Sequence, residues 1–338
     1  MNDRALKVLE QYELDIISTR RGRGSYILET DQGLRILSDY TGSEKKALFQ
    51  NCIMERIREG GYGKVDLILP NKEGKLISKD WEENKYVLKE WYIGRECDTT
   101  SESEILAAVS NLARLHRLMC LKQEHIRTME EYTVEQIYET FRQNFSAQLP
   151  PAELQAQNAE LKKIRSFIRK KNGKGEFERL FLNCFDRYFE QAEKARQWLQ
   201  DQNFSEPFVR GSVCHGDYSH HHVLMSGYDM ATTNFECCRF DYQVSDLYRF
   251  MRKILEKHDW DQRLGMRMLE TYTQVRPLPL QERRLLYVRM LYPEKFRKLA
   301  NYYYGSSKAW ISRRYLDKLE KLNRQEEKKA QFVRLLEH

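Results

Sequence analysis

Hydrophobic and polar positions change rhythm twice along this chain, and each change marks a new kind of element. Leu6–Asp15 reads as a short helix and turn. From Ile16 the pattern becomes strand-like in three short runs: Ile17–Thr19, Ser25–Thr30 and Gly33–Leu37. The turn-forming stretches Arg21-Gly22-Arg23-Gly24 and Asp31-Gln32-Gly33 separate them, which predicts an antiparallel meander. Glu44–Glu59 then sets Leu48, Cys52, Ile53 and Ile57 at helical spacing, and Gly60-Gly61 ends the helix. Strand texture returns at Val65–Leu69, Lys75–Ser78 and Tyr86–Tyr92, the last closed by Gly94.

Beyond Gly94 the period is that of helices. Glu102–Cys120 carries Ile105, Val109, Leu112 and Leu115 along one side, with Ser101 or Ser103 placed to cap it. Thr133–Asn144, the charged stretch Gln155–Lys174 and Phe177–Gln200 also read as helices. The last third is helical with breaks at Pro277, Pro279 and Pro293. One insert, Ser212–Arg239, does not fit the helical period. Strands around one helix, followed by helices, predict an α+β protein in two parts. The expected parts are a β-rich lobe at 1–92 and a helical lobe at 93–338, hinged at about 90–98, with the insert at 213–239 in the second.

Composition narrows this. With 338 residues, 41% hydrophobic content, 20 Tyr and only 7 Pro, the chain is a folded, helix-rich protein rather than a disordered one. Its seven cysteines are scattered with no CxxC pair, so the expectation is reduced, mostly buried thiols and no zinc site. The net charge of +7 collects in Lys162–Lys174 and Arg313–Arg334. Acids are interspersed over the chain, so these read as solvated helix faces, and nothing resembles a nucleic-acid module. No apolar run reaches the roughly 18 residues that a membrane span needs. The N-terminus lacks the apolar core of a signal peptide, so synthesis in a cytoplasm is expected.

The chemistry concentrates in the insert. Val213-Cys214-His215-Gly216-Asp217 runs on through His220-His221-His222, and Asn234-Phe235-Glu236 follows. Phosphoryl transfer requires a loop carboxylate to take the proton of an attacking hydroxyl and side chains nearby to hold the metal that bridges the nucleotide phosphates. A turn–strand–turn–strand segment of this length brings such groups together.

His215-Gly216-Asp217 resembles the catalytic loop of aminoglycoside phosphotransferases and choline kinases, and Asn234-Phe235-Glu236 stands where that superfamily carries its metal motif. Leu112-Ala113-Arg114-Leu115-His116 is similar to the helix preceding that loop, Tyr86–Gly94 to the hinge strand, and Asp246-Leu247 to a pair that braces the loop from a helix start. The resemblance implies the bilobal protein-kinase-like fold. Gly42-Ser43-Glu44, Gly94–Asp98, Arg252-Lys253 before Trp260, Tyr292–Phe296 and Ala309-Trp310-Ile311 further resemble the CotS family of spore coat proteins. That likeness implies mother-cell synthesis, a place in the spore coat, and other coat proteins as partners.

What the resemblance implies for the site is a catalytic Asp217 with His215 beside it and a nucleotide, ATP with Mg or Mn, held near Glu90, Trp91 and Tyr92. Arg21 and Arg23 would cover its phosphates, and His222 and Asn234 would stand at the metal positions. Three substitutions break the pattern. His222 replaces the usual Asn, Asn234 replaces the usual Asp, and Ser38 stands where a phosphate-pairing Lys is expected, with Arg35, Lys45 or Lys46 as nearby substitutes. Magnesium prefers oxygen ligands, so both metal changes weaken its site. The expectation is a pseudokinase-like structural subunit. The alternatives are an ATP-dependent phosphotransferase acting on a hydroxylated or amino-sugar-like acceptor, and a nucleotide-sensing module without catalysis. Tyr302-Tyr303-Tyr304, with Trp310 and Tyr315, read either as packing within the helical lobe or as a contact surface.

Overall fold

A computed structural model describes residues 3–22, 24–126, 133–200, 211–227, 229–305 and 313–337. Arg23 and Ala309-Trp310-Ile311 lie outside them. The chain forms two compact units. The first holds residues 1–146, 207–246 and 274–276, and the second holds 147–206, 247–273 and 277–338.

The first unit is built on a six-stranded antiparallel sheet. Its strands are β1 (Ile16–Gly22), β2 (Ser25–Thr30), β3 (Gly33–Asp39), β4 (Ile68–Leu69), β5 (Ser78–Lys79) and β6 (Lys85–Glu90). They run in the order β1-β2-β3-β6-β4, with β5 also on β6. Alternation sorts their side chains. Tyr26, Leu28, Leu37, Tyr86 and Leu88 point to one face, where an N-terminal 3-10 helix, Asp3–Gln11, covers them with Ala5, Val8 and Leu9. Each such buried side chain contributes roughly 1.5–3 kcal/mol.

Helix α1 (Glu44–Glu59) begins at Ser43, whose hydroxyl accepts the Lys46 N–H, and its Asn51 side chain bonds both backbone groups of Ile68 at 2.8 and 3.0 Å. Helix α2 (Glu102–Leu118) is capped by Ser101, and α3 (Val134–Asn144) by a Thr133–Gln136 capping box. The stretch Arg95–Glu96 (β7) pairs with Val223–Ser226 (β9), which in turn pairs with Asp229–Thr232 (β10). Val213–Cys214 (β8) pairs with Arg239–Phe240 (β11). The strand predicted at Val65–Leu69 joins the sheet only from Leu67 onward, because Val65 bridges Thr232 instead. The first sheet ends near the expected hinge, whereas the division into compact units comes at Ser146.

The second unit is helical: α4 (Pro150–Lys170), α5 (Glu176–Gln200), most of α6 (Val244–Lys257) and α7 (Gln262–Val275), then α8 (Leu280–Leu291), α9 (Glu294–Gly305) and α10 (Arg313–Leu335). Pro150 and Pro151 start α4, and prolines break the chain before α8 and α9 as the sequence predicts. Phe296 is the hub of its aromatic core, 4.8 Å from Phe181 and 4.5 Å from Tyr188.

Candidate functional site

All the described candidate site residues lie in the first unit. The loop after β8 is fixed by one carboxylate. Asp246, fully buried at the start of α6, accepts the N–H of His215 at 2.6 Å and of Gly216 at 3.0 Å, and meets the buried His116 ring at 3.3 Å. Gly216 has φ +84°, and a Cβ there would come within 2.0 Å of the Cys237 carbonyl. The turn therefore accepts only glycine. His215 is buried and neutral: burial pulls its pKa down to about 4. Its Nε2–H donates to the Thr233 carbonyl at 3.0 Å and its Nδ1 accepts the Asp217 N–H at 3.3 Å. Both ring nitrogens thus hold backbone, which makes His215 a brace of the loop. The Asp217 side chain remains 42% exposed.

The two positions of the metal motif meet each other. His222 ends a 3-10 turn, His220–His222, and its Nδ1–H donates to the Asp217 carbonyl at 2.8 Å. That assigns the lone pair to Nε2, which accepts from the Asn234 side-chain amide at 3.1 Å. Asn234 takes the left-handed conformation, φ 69°, which Asn tolerates better than most residues. Its own N–H donates to Asp66 at 2.9 Å. Both His222 nitrogens and the Asn234 side-chain nitrogen are therefore engaged, and of this pair only the Asn234 carbonyl oxygen is a donor of the kind magnesium takes. His221 instead bonds Glu96 at 2.6 Å, and the His220 ring lies tilted against it, centroids 3.8 Å apart. The three imidazoles do not converge.

Lys89 is the residue that sequence reasoning missed. It sits on β6 opposite Ile36 and Ile68, buried on the face of the sheet away from the N-terminal helix. Its Nζ reaches Glu236 at 2.9 Å and lies 3.7 Å from Asp66. Burial weakens this ammonium, but the two carboxylates outweigh it and hold its pKa above the ordinary value. Burial also raises Asp66, against the pull of Lys89 and the Asn234 N–H. A signal existed: Lys89 shares a strand face with the fully buried Val87, and a lysine on a buried face needs a partner.

The proposed lysine substitutes lie elsewhere. Arg35 bonds the Leu34 carbonyl, Lys46 donates to the Cys238 carbonyl over the Phe49 and Phe145 rings, and Lys45 lines a groove of about 640 Å³ beside α1. Glu55 lines the same groove. Ser38 lies opposite Val87, on the strand face shared with Lys89. On the hinge, the Glu90 N–H bonds the Leu67 carbonyl and the Trp91 N–H bonds the Leu34 carbonyl. The Tyr92 hydroxyl ties to Glu90 at 2.8 Å and to the Val65 carbonyl at 2.9 Å. Two of the three backbone donors expected to meet a nucleotide thus serve the sheet. Arg21 lies on exposed β1 with its guanidinium 5.9 Å from the Tyr26 ring. Cys238 is buried as expected, but Cys237 is exposed, because these residues sit at a 3-10 turn rather than inside a strand.

Comparison with known proteins agrees with this architecture. An aminoglycoside phosphotransferase from Alicyclobacillus acidocaldarius superposes with a TM-score of 0.80 at 18% identity, covering 98% of this chain and 94% of that one. A spectinomycin phosphotransferase, solved with ADP and spectinomycin, gives 0.63 at 10% identity over 95% and 92% of the two chains. The amicoumacin kinase hAmiN, solved with AMP-PNP and Ca²⁺, gives 0.57 at 13% identity over 96% and 92%. These likenesses establish the bilobal kinase-like fold. The endospore coat-associated protein YutH of Bacillus subtilis is 28% identical over 138 residues, which span 39% of this chain and 40% of that protein. The family model described as spore coat putative kinase YutH matches residues 155–336, just over half of the chain. The spore-coat, kinase-like resemblance of the motifs is thereby borne out, with YutH rather than CotS as the family matched, and the chain belongs to the YutH family of kinase-like spore coat proteins.

Proposed function

We propose that this protein is a structural or assembly subunit of the spore coat, working beside other coat proteins, in which a kinase-like fold is kept and phosphotransfer is lost. The observation that carries the reading is the His222–Asn234 hydrogen bond at 3.1 Å, which joins the two positions where a metal would be held. The Lys89–Glu236 ion pair adds to it, because it ties the hinge strand to the turn that follows Asn234. Calorimetry with ATP alone, and with ATP plus Mg²⁺ or Mn²⁺, is expected to show no heat of binding. Phosphorylation of a hydroxylated small molecule at about one per second or faster would overturn the reading.

A second reading, ATP-dependent phosphotransfer to a hydroxylated or amino-sugar-like acceptor, draws on Asp217. Its carboxylate stays at the open side of a rigidly braced loop, 3.6 Å from the His222 ring, as a general base would. Metal-dependent ATP turnover that disappears in Asp217→Asn would favour it.

A further inference from the structure

We propose that the outward side of α9, with its flanks on α4 and α10, is a docking surface for an acidic polypeptide segment. The proposal rests on the coat-subunit reading only for the source of the partner. Tyr303 is buried on α9, so helix geometry at 100° per residue turns Tyr302 and Tyr304 to opposite shoulders of the exposed ridge. Tyr302 is 49% exposed and Tyr304 39%. Each finds a second ring on the neighbouring helix. Tyr304 meets Phe167 of α4 edge-on at 5.2 Å, and Phe167 is itself 50% exposed. Tyr302 stacks on Tyr315 of α10 at 3.9 Å. The sequence allowed this tyrosine run to be either packing or contact surface. The structure assigns Tyr303 to the core and Tyr302 and Tyr304 to the surface.

Charge decides the occupant. A lysine lies over each aromatic pair: Lys163 is 5.5 Å from the Tyr304 ring and Lys318 is 4.8 Å from the Tyr315 ring. The nearby acids are engaged by other groups, Glu160 by Arg297 and Asn301, and Asp317 by Arg313. Arg314 and Lys295 lie close to Lys318 and add their positive charge to this face. A second copy of this face would set lysine against lysine, so self-association through it is disfavoured. Tyr302 and Tyr315 are stacked on each other and Lys163 lies over the Tyr304 ring, so the face offers no pair of parallel open rings between which bases would stack. A carboxylate-rich protein segment fits: its acids meet the lysines, while its apolar side chains and backbone lie on the tyrosine shoulders, where Tyr contributes strongly to interfaces.

The test uses the full chain and a fluorescein-labelled random copolymer of Glu and Tyr, followed by anisotropy at 50 mM salt. Saturable binding is expected that fades at 500 mM salt and weakens at least tenfold in the double variant Lys163→Glu, Lys318→Glu. Tyr302→Ser with Tyr304→Ser is expected to weaken it as well. Trp81→Ser, at an exposed residue of the first unit, is the control expected to leave binding unchanged. Circular dichroism identifies any variant that has not folded, and the charge-reversed pair changes only side chains at the surface. The proposal is overturned by absence of binding, by undiminished binding in the charge-reversed variant, or by tighter binding of duplex DNA or phosphatidylglycerol vesicles to the same residues. ATP turnover would remove the coat-subunit reading while leaving the anisotropy result intact, so the two fail separately.

Discussion

At the scale of single residues, the site is a set of side chains whose hydrogen bonds have been turned inward. His215 shows the consequence for pH. Its folded pKa is about 4 against an ordinary 6.5, so between those values the unfolded chain takes up a proton that the folded chain refuses. The stability it contributes is complete above 6.5 and is lost as pH falls toward 4, an effect of roughly 3 kcal/mol. His215→Gln is expected to be less stable than the parent at pH 7 but flatter between pH 6.5 and 4 in thermal scans. Equal slopes would mean that the imidazole does not remain neutral on folding. Lys89 gives a second case. Removing it leaves Asp66 and Glu236 without the cation between them, and breaking such a buried pair costs about 3 kcal/mol or more. Lys89→Ala should lower the urea midpoint accordingly, with Lys89→Met recovering the part due to the buried stem.

At the scale of elements, local signals and long-range pairing divide what could be read. The bounds of α1, β2 and α3 follow from caps, glycines and period, and they stand where Ser43, Gly60, Asp31 and Thr133 place them. The breaks before α8 and α9 follow from proline chemistry. By contrast, β7 was not legible, because Arg95 and Glu96 become a strand only by pairing with Met225 and Leu224 far along the chain. For the same reason Val65 left its predicted strand for Thr232. The catalytic-type loop was legible as a motif, but its closure was not. Nothing local says that His222 and Asn234 bond each other, since they stand twelve positions apart at the two ends of a hairpin. The loop itself makes a sharp prediction. Gly216→Ala would force φ +84° on an L-residue and drive a Cβ into the Cys237 carbonyl. The expected cost is on the order of 3 kcal/mol, visible as a lower melting temperature. A change under 0.5 kcal/mol would mean that the turn relaxes freely.

At the scale of the whole molecule, the order of elements gave the fold class, because a β-rich beginning and a helical remainder leave few compact arrangements. The division into units was not readable in that order: the stretch 211–246, with β8 to β11, belongs to the first unit through packing that sequence rhythm does not encode. The same scale offers a decisive test of the closed site. A ligand that binds only the folded state stabilises all of it, by about 2.7 kcal/mol at a hundred times its dissociation constant. In a protein of this size that is a shift of several degrees. ATP with Mg²⁺ is therefore expected to leave the melting temperature of the native chain unchanged. His222→Asn combined with Asn234→Asp replaces the internal hydrogen bond with two oxygen donors of the kind magnesium takes. If those two residues alone close the site, this variant should gain a metal-dependent upward shift with ATP. A shift in the native protein would show that the site still assembles around nucleotide despite the bond. No shift in either would place the obstruction at Lys89 and the hinge amides, and adding Lys89→Met to the restored pair would then be expected to reveal it.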